Sequence, residues 1–170
     1  MKVQDELVSG ALSFNGCAEG MDQIKNARSK VEMVQCFLDR IDFCLAKDFP
    51  NRAFLRRNFE NELRDRNIYI DEVISLVNVR KSVLLGNCNA TLVSNKYEVG
   101  KVFAKHKTKL IVKACDHARV MVDALDDSII SVECSGNAKV VVNLYARASV
   151  SSVIGNNIKI VRKNLLTYEL

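Results

Sequence analysis

The chain has 170 residues, 48% of them apolar, and a formal net charge of +5. This length allows one ordinary domain or two small ones, and the apolar content predicts a packed core rather than a disordered chain. The excess charge lies in residues 81–170, which carry 13 basic and 7 acidic residues, whereas residues 1–80 carry 12 and 13.

The composition also argues against export and against a membrane span. The N-terminal stretch MKVQDELVSGALSF contains Asp5 and Glu6 and no long apolar run, unlike a secretory signal. No segment approaches the roughly 18 consecutive apolar residues of a membrane helix. The six cysteines form no CxxC pair and lie within apolar patterns, which is typical of buried reduced thiols. We therefore expect a soluble, cytoplasmic protein.

Helical spacing dominates the first 66 residues. After a short predicted helix at 19–28, Ser29 and Glu32 form a capping box. The helix that follows has one apolar stripe over about four turns, formed by Val31, Val34, Leu38, Ile41 and Leu45. It ends before Pro50, and Asn51 can cap a further helix. These features predict a helical head at 1–66, followed by a connector at 67–80.

A ten-residue repeat follows, and it is clearest from Lys109 onward. The second residue of successive tens is always apolar, as in Leu110, Val120, Ile130, Val140 and Val150. The fourth and sixth positions continue this alternation, and the tenth position is small in Ala118, Ser128, Ala138 and Ala148. A fixed period indicates stacked units that cannot bury their apolar faces alone. We assign residues 81–165 to this β-repeat domain and 166–170 to a tail.

Two architectures can use a ten-residue unit. In a β-solenoid each ten is half of a flattened coil, so Leu110 stacks on Ile130; in an antiparallel β-meander or sandwich each ten is a strand with its hairpin turn. The small tenth residue suits a tight inward corner, and the turns of the repeat lack the regular Asn-Gly or Asp-Gly pairs that hairpins prefer. The predicted fold class is therefore α+β, with a helical head before a β-solenoid.

The sequence contains no recognisable constellation for catalysis or for a cofactor. With two tens per coil, Asp123 stacks on Asn143 and Asp126 on Ala146, so no column of carboxylates forms for glycoside hydrolysis. Cys115 and His117 have no second ligand pair at zinc spacing, and the glycines are isolated rather than grouped in a phosphate-binding loop. We expect no enzyme activity, no cofactor and no metal.

The segment 80–113 is the one candidate binding site. It has a single acid, Glu98, and the aromatic side chains of Tyr97 and Phe103 and the ring of His106 are interleaved with basic residues. Those proposed to contact nucleic acid are Arg80, Lys81, Lys101, Lys105, Lys107, Lys109 and Lys113, and Lys96 lies among them. Such a patch could neutralise phosphates while an aromatic ring stacks on a base. The alternative interpretation is a lysine-rich outer face of the first coils.

Several short segments resemble a known but uncharacterised family. FCLAKDFP, RRNF, IDEV, DHA at 116–118 and VNLYARA are similar to proteins encoded by gut Bacteroidales and their phages, in which a helical head precedes a β-repeat tail. The tail also resembles the solenoid repeats of adhesins of the head-GIN type and of bactofilins. The resemblance covers about residues 30–165, and it implies a biological context, a virion included, but no activity.

The repeat without catalytic residues predicts a non-enzymatic structural or interaction protein. Its rigid solenoid would serve as an assembly or recognition surface, and its partner would be a second copy or another protein rather than a membrane. The alternative function is a nucleic-acid-binding module that uses the basic segment 80–113.

Overall fold

The computed structural model describes residues 3–170, which form two compact units. One unit ends at Arg66 and includes Tyr168–Leu170, and the other is Asn67–Thr167. The first contains helices α1 (Val3–Ser13), α2 (Ala18–Asn26), α3 (Lys30–Asp39), α4 (Ile41–Lys47) and α5 (Arg52–Arg64). The predicted helical head is confirmed, and it has one helix, α1, that the sequence analysis did not assign.

The predicted helix caps are present. Ser29 Oγ accepts a hydrogen bond from the Glu32 N–H at 3.2 Å, and the Glu32 carboxylate accepts one from the Arg28 N–H at 2.6 Å. Asn51 Oδ1 accepts a hydrogen bond from the Phe54 N–H at 2.9 Å, so it caps α5 as predicted. Each cap satisfies an amide at a helix start that has no partner within the helix.

The single helix predicted across Val31–Leu45 was wrong, because the backbone leaves the helical region at Arg40. This residue has φ −116° and ψ 33°, and it ends α3 and precedes α4. The apolar stripe continues on both sides, with Leu38 and Ile41 buried, which explains why spacing alone did not reveal the break. Val31 is 40% exposed and does not belong to the buried stripe.

The second unit is a β-solenoid of parallel strands in two sheets. Its strands are β1 (Ile68–Ile70), β2 (Val73–Val77), β3 (Lys81–Leu85), β4 (Asn89–Ser94), β5 (Val99–Ala104), β6 (Lys109–Ala114), β7 (Arg119–Ala124), β8 (Ile129–Cys134), β9 (Lys139–Leu144), β10 (Ser149–Gly155) and β11 (Ile158–Arg162). The order is β1-β3-β5-β7-β9-β11 in sheet A and β10-β8-β6-β4-β2 in sheet B. Since all pairings between the described strands are parallel, the antiparallel alternative was wrong.

The strand register matches the predicted stacking. Leu110 pairs with Ile130, and Ile130 pairs with Val150, so residues twenty apart form a column inside the coil. The small tenth residues Ala118, Ser128, Ala138 and Ala148 are all fully buried. Small side chains suit this position because the chain turns inward at each corner, and Thr108 at the equivalent position is also fully buried.

Each corner also contains a left-handed residue that the repeat did not predict. Positive φ recurs every ten residues at Lys96, His106, Asp116, Asp126, Gly136 and Ala146. This conformation costs little for Gly and is tolerated by Asp and His, so the sequence at this position varies although its backbone does not. The corner geometry therefore repeats more strictly than the amino acids do.

The predicted connector at 67–80 belongs to the solenoid. Ile68 pairs with Val83, and Val73 pairs with Asn89, so β1 and β2 form the first coil. The predicted solenoid start at residue 81 is too late because β1 has only three residues and the turn at Asp71 and Glu72 interrupts the ten-residue spacing.

Candidate interaction surfaces

The solenoid distributes the predicted nucleic-acid-binding residues over different surfaces. Lys81 and Lys101 pair across β3 and β5 in sheet A. Lys109 and Lys113 lie on β6 in sheet B, whereas Lys105 and Lys107 lie at the corner between β5 and β6, and Arg80 precedes β3. A segment that is continuous in sequence therefore wraps around the coil, and its cations do not form one continuous face.

Acids from the next coil pair with several of these lysines. Lys101 Nζ lies 3.2 Å from Asp123 Oδ2, and Lys105 Nζ lies 2.7 Å from Asp126 Oδ2. Lys113 Nζ lies 3.6 Å from Glu133 Oε2 in the same way. Pairs of this kind contribute little to stability when exposed, but they offset the positive charge available to a phosphate.

The aromatic side chains near these lysines have separate environments. Phe103 is only 1% exposed, so its ring cannot stack on a nucleic-acid base. His106 Nδ1 accepts a hydrogen bond from the Gly86 N–H at 3.1 Å. Tyr97 is exposed and stacks on His117 of the next coil, with the ring centroids 4.7 Å apart. Of the three predicted rings, Tyr97 is the one whose face is most open to a ligand.

The C-terminal coil exposes side chains that are buried in the preceding coils. Val153 aligns with Val132 and Ile160 with Val142. The earlier pair is fully buried, whereas Val153 is 48% and Ile160 is 43% exposed. Because β10 and β11 are the outermost of the described strands at this end of their sheets, one backbone edge of each has no neighbouring strand within residues 3–170. Apolar side chains and unpaired strand edges therefore occur together at this end.

A register shift in β10 changes which residues face this end. The pairing with β8 shifts between Val150 and Ser152, so Val153 rather than Ser152 aligns with Val132. The repeat predicts that Ser152 and Ile154, at its fourth and sixth positions, face inward. This prediction is wrong, because after the bulge Ser152 aligns with Ser131 and Ile154 with Glu133. One extra residue reverses the alternation of a strand, and here it turns a valine inward where the repeat predicted a serine.

Basic side chains surround the exposed coil. Arg162 donates hydrogen bonds to the Ala146 and Ala148 carbonyls at 3.1 and 2.8 Å, so its guanidinium lies against the preceding corner. Arg147 forms a bidentate pair with Asp127, at 2.6 and 2.8 Å, and this pairing lowers the pKa of that carboxyl. The exposed apolar residues thus have a charged rim.

Three further observations concern the part of the chain that the structure describes. Within residues 3–170, no group of three or more His, Cys, Asp or Glu side chains is arranged to hold a metal ion. No helix in that range is long and apolar enough to cross a membrane. Burial raises the pKa of the thiols of Cys36, Cys88 and Cys134, and it raises the pKa of Cys44 to about 12.

No family model, curated protein or solved structure matches this chain. The resemblance to the gut Bacteroidales family and to bactofilin or head-GIN repeats therefore stays a prediction, as does the virion context that it implies.

Proposed function

We propose that this protein is a non-enzymatic structural protein that associates with a second copy of itself through the C-terminal coil of its solenoid. The observation that supports this proposal is the exposure of Val153 and Ile160 at positions whose equivalents one coil earlier are fully buried. A solenoid repeat buries its apolar face only against a neighbouring repeat, so an exposed terminal coil favours association with another surface.

The strand edges support the same proposal. The outer edges of β10 and β11 have N–H and C=O groups available for pairing with another chain. Such an edge favours strand addition, and the adjacent exposed valine and isoleucine would be buried by it. Association of two copies by the same surface gives a closed dimer with twofold symmetry.

Light scattering coupled to size-exclusion chromatography tests the proposal over a range of protein concentrations. We expect the wild-type mass to exceed that of one chain and to rise with concentration. Ile160→Glu should shift the population to the monomer, since a carboxylate would then lie at the interface. Ile111→Glu is the matched control, because Ile111 is similarly exposed at 40% but lies on β6, which β8 separates from β10.

A strictly monomeric wild-type protein at all concentrations would refute the proposal. Equal dissociation by both variants would also count against it, because the effect would then not depend on the terminal coil. Far-ultraviolet circular dichroism of each variant establishes that the solenoid is folded, and Val153→Glu provides a second substitution at the same end.

Nucleic-acid binding through segment 80–113 is the less favoured function. Pairing of Lys101, Lys105 and Lys113 with acids reduces the charge that this segment offers to phosphates. The exposed ring of Tyr97 is the feature that still favours it.

A further inference from the structure

The helical unit contains a cavity of about 350 Å³. Its walls come from α1 to α4 and from the segment at Phe49 and Pro50, and they are mostly apolar, with Leu7, Met21 and Phe37 among the lining side chains. A volume of this size lies in the range of about 300–1,000 Å³ that is usual for small-molecule sites. Apolar walls with few polar groups are also typical of such sites.

Among residues 3–170, Arg40 is the one charged side chain that lines this cavity. Its Nη2 lies 2.8 Å from Glu19 Oε2, so one side of the guanidinium is paired. Its Nε is buried and has no hydrogen-bond acceptor among the described residues. A buried donor without an acceptor is unfavourable, and an anionic ligand group in the cavity would supply the acceptor.

Gly20 leaves space beside this donor. A Cβ atom built on Gly20 would lie 3.6 Å from Arg40 Nε and 3.3 Å from Cys17 Sγ. The missing side chain therefore leaves the space between the α2 backbone and the guanidinium edge unfilled. Gly20, Cys17 and Arg40 all line the cavity, so the open space near Nε is continuous with it.

Two of the thiols that line the cavity carry no charge at neutral pH. Cys36 and Cys44 are among the lining residues, and burial raises the pKa of both thiols. They behave as small apolar groups rather than as nucleophiles. Among the described side chains that line the cavity, Arg40 is thus the one cation, and Glu19 already partly neutralises it.

We propose that this cavity binds a small carboxylate with an apolar chain. The chain lies among the apolar side chains, and the carboxylate accepts the hydrogen bond from Arg40 Nε. A single guanidinium suits a monoanionic carboxylate better than a phosphate dianion, which usually needs several donors. This inference goes beyond the proposed assembly function and does not depend on it.

Isothermal titration calorimetry with decanoate on the full chain tests the proposal. We expect saturable binding of one decanoate per chain, weaker binding of the neutral decanol, and no saturable binding of decyltrimethylammonium. Arg40→Met should weaken decanoate binding by about tenfold or more, since a hydrogen bond to a charged group is lost. Gly20→Leu should abolish binding of both decanoate and decanol, because the side chain fills the space beside Nε.

Glu19→Gln is the matched control. It removes the ion pair with Arg40 but leaves Nε in place, so decanoate binding should be retained or tightened. If Glu19→Gln loses binding as Arg40→Met does, the ion pair supports the fold and the proposed contact is wrong. Equal affinity for decanoate and decanol, or no saturable binding of decanoate, also overturns the proposal. Circular dichroism melting curves establish whether each variant is folded, and Gly20→Leu tests the site even where Arg40→Met unfolds.

Discussion

Matched truncations in the solenoid column and at its end test whether the terminal coil is open. Ile130 is fully buried between Leu110 and Val150, so Ile130→Ala should reduce the free energy of unfolding of the solenoid by about 2–5 kcal/mol. Ile160 is 43% exposed, so Ile160→Ala removes less buried surface and should cost about 1 kcal/mol in the monomer.

The assay is urea unfolding followed by circular dichroism in the β region at a low protein concentration. Because the helices form a separate compact unit, the β signal, rather than a single two-state fit to the whole chain, is used to report the solenoid. Equal losses for the two variants at a concentration where the protein is monomeric would refute the reasoning, because Ile160 would then be as buried as Ile130. At higher concentration the cost of Ile160→Ala should rise if a second copy covers this coil.

Three further predictions concern the thiols, the corners and the lysines. The Cys44 pKa is raised from 9.0 to about 12, so the protonated thiol leaves the free energy of unfolding unchanged below pH 9. Between pH 9 and 12 the thiol ionises in the unfolded state only, and the free energy of unfolding falls by at most about 1.4 kcal/mol per pH unit. Cys44→Val should remove this fall from a pH series of thermal melts. Gly136 and Ala146 both have positive φ, so Ala146→Gly should stabilise the solenoid by about 1 kcal/mol and Gly136→Ala should destabilise it by a similar amount. The urea midpoint of Ala146→Gly should therefore be higher than that of the wild type, and that of Gly136→Ala lower. The opposite order of midpoints would contradict the corner geometry. Protein purified without nuclease should have a protein-like ratio of absorbance at 260 and 280 nm. Excess absorbance at 260 nm that high salt removes would instead favour nucleic-acid binding. Binding that weakens when Lys105, Lys107 and Lys109 are replaced by glutamine would assign it to these lysines.

The sequence by itself determined the fold class, a helical head followed by a β-solenoid. Apolar residues at alternate positions and a small residue at every tenth position predict which side chains point inward, as Leu110 and Ala118 do. The reason is that inward-facing strand positions require apolar residues and corners require small ones. Both requirements are local, and they apply to every ten-residue repeat. The caps at Ser29 and Asn51 are local in the same sense, because each acts on amides within one turn of helix.

Only the tertiary structure decided the properties that join residues distant in sequence. Lys101 and Lys105 are paired because one coil places Asp123 and Asp126 beside them, and a charge count along the segment cannot show this. The bulge after Val150 likewise depends on pairing with β8, since the same residues alternate regularly in the sequence. The cavity beside Arg40 forms where four helices pack, and its volume depends on their relative positions, which the apolar spacing of each helix does not define.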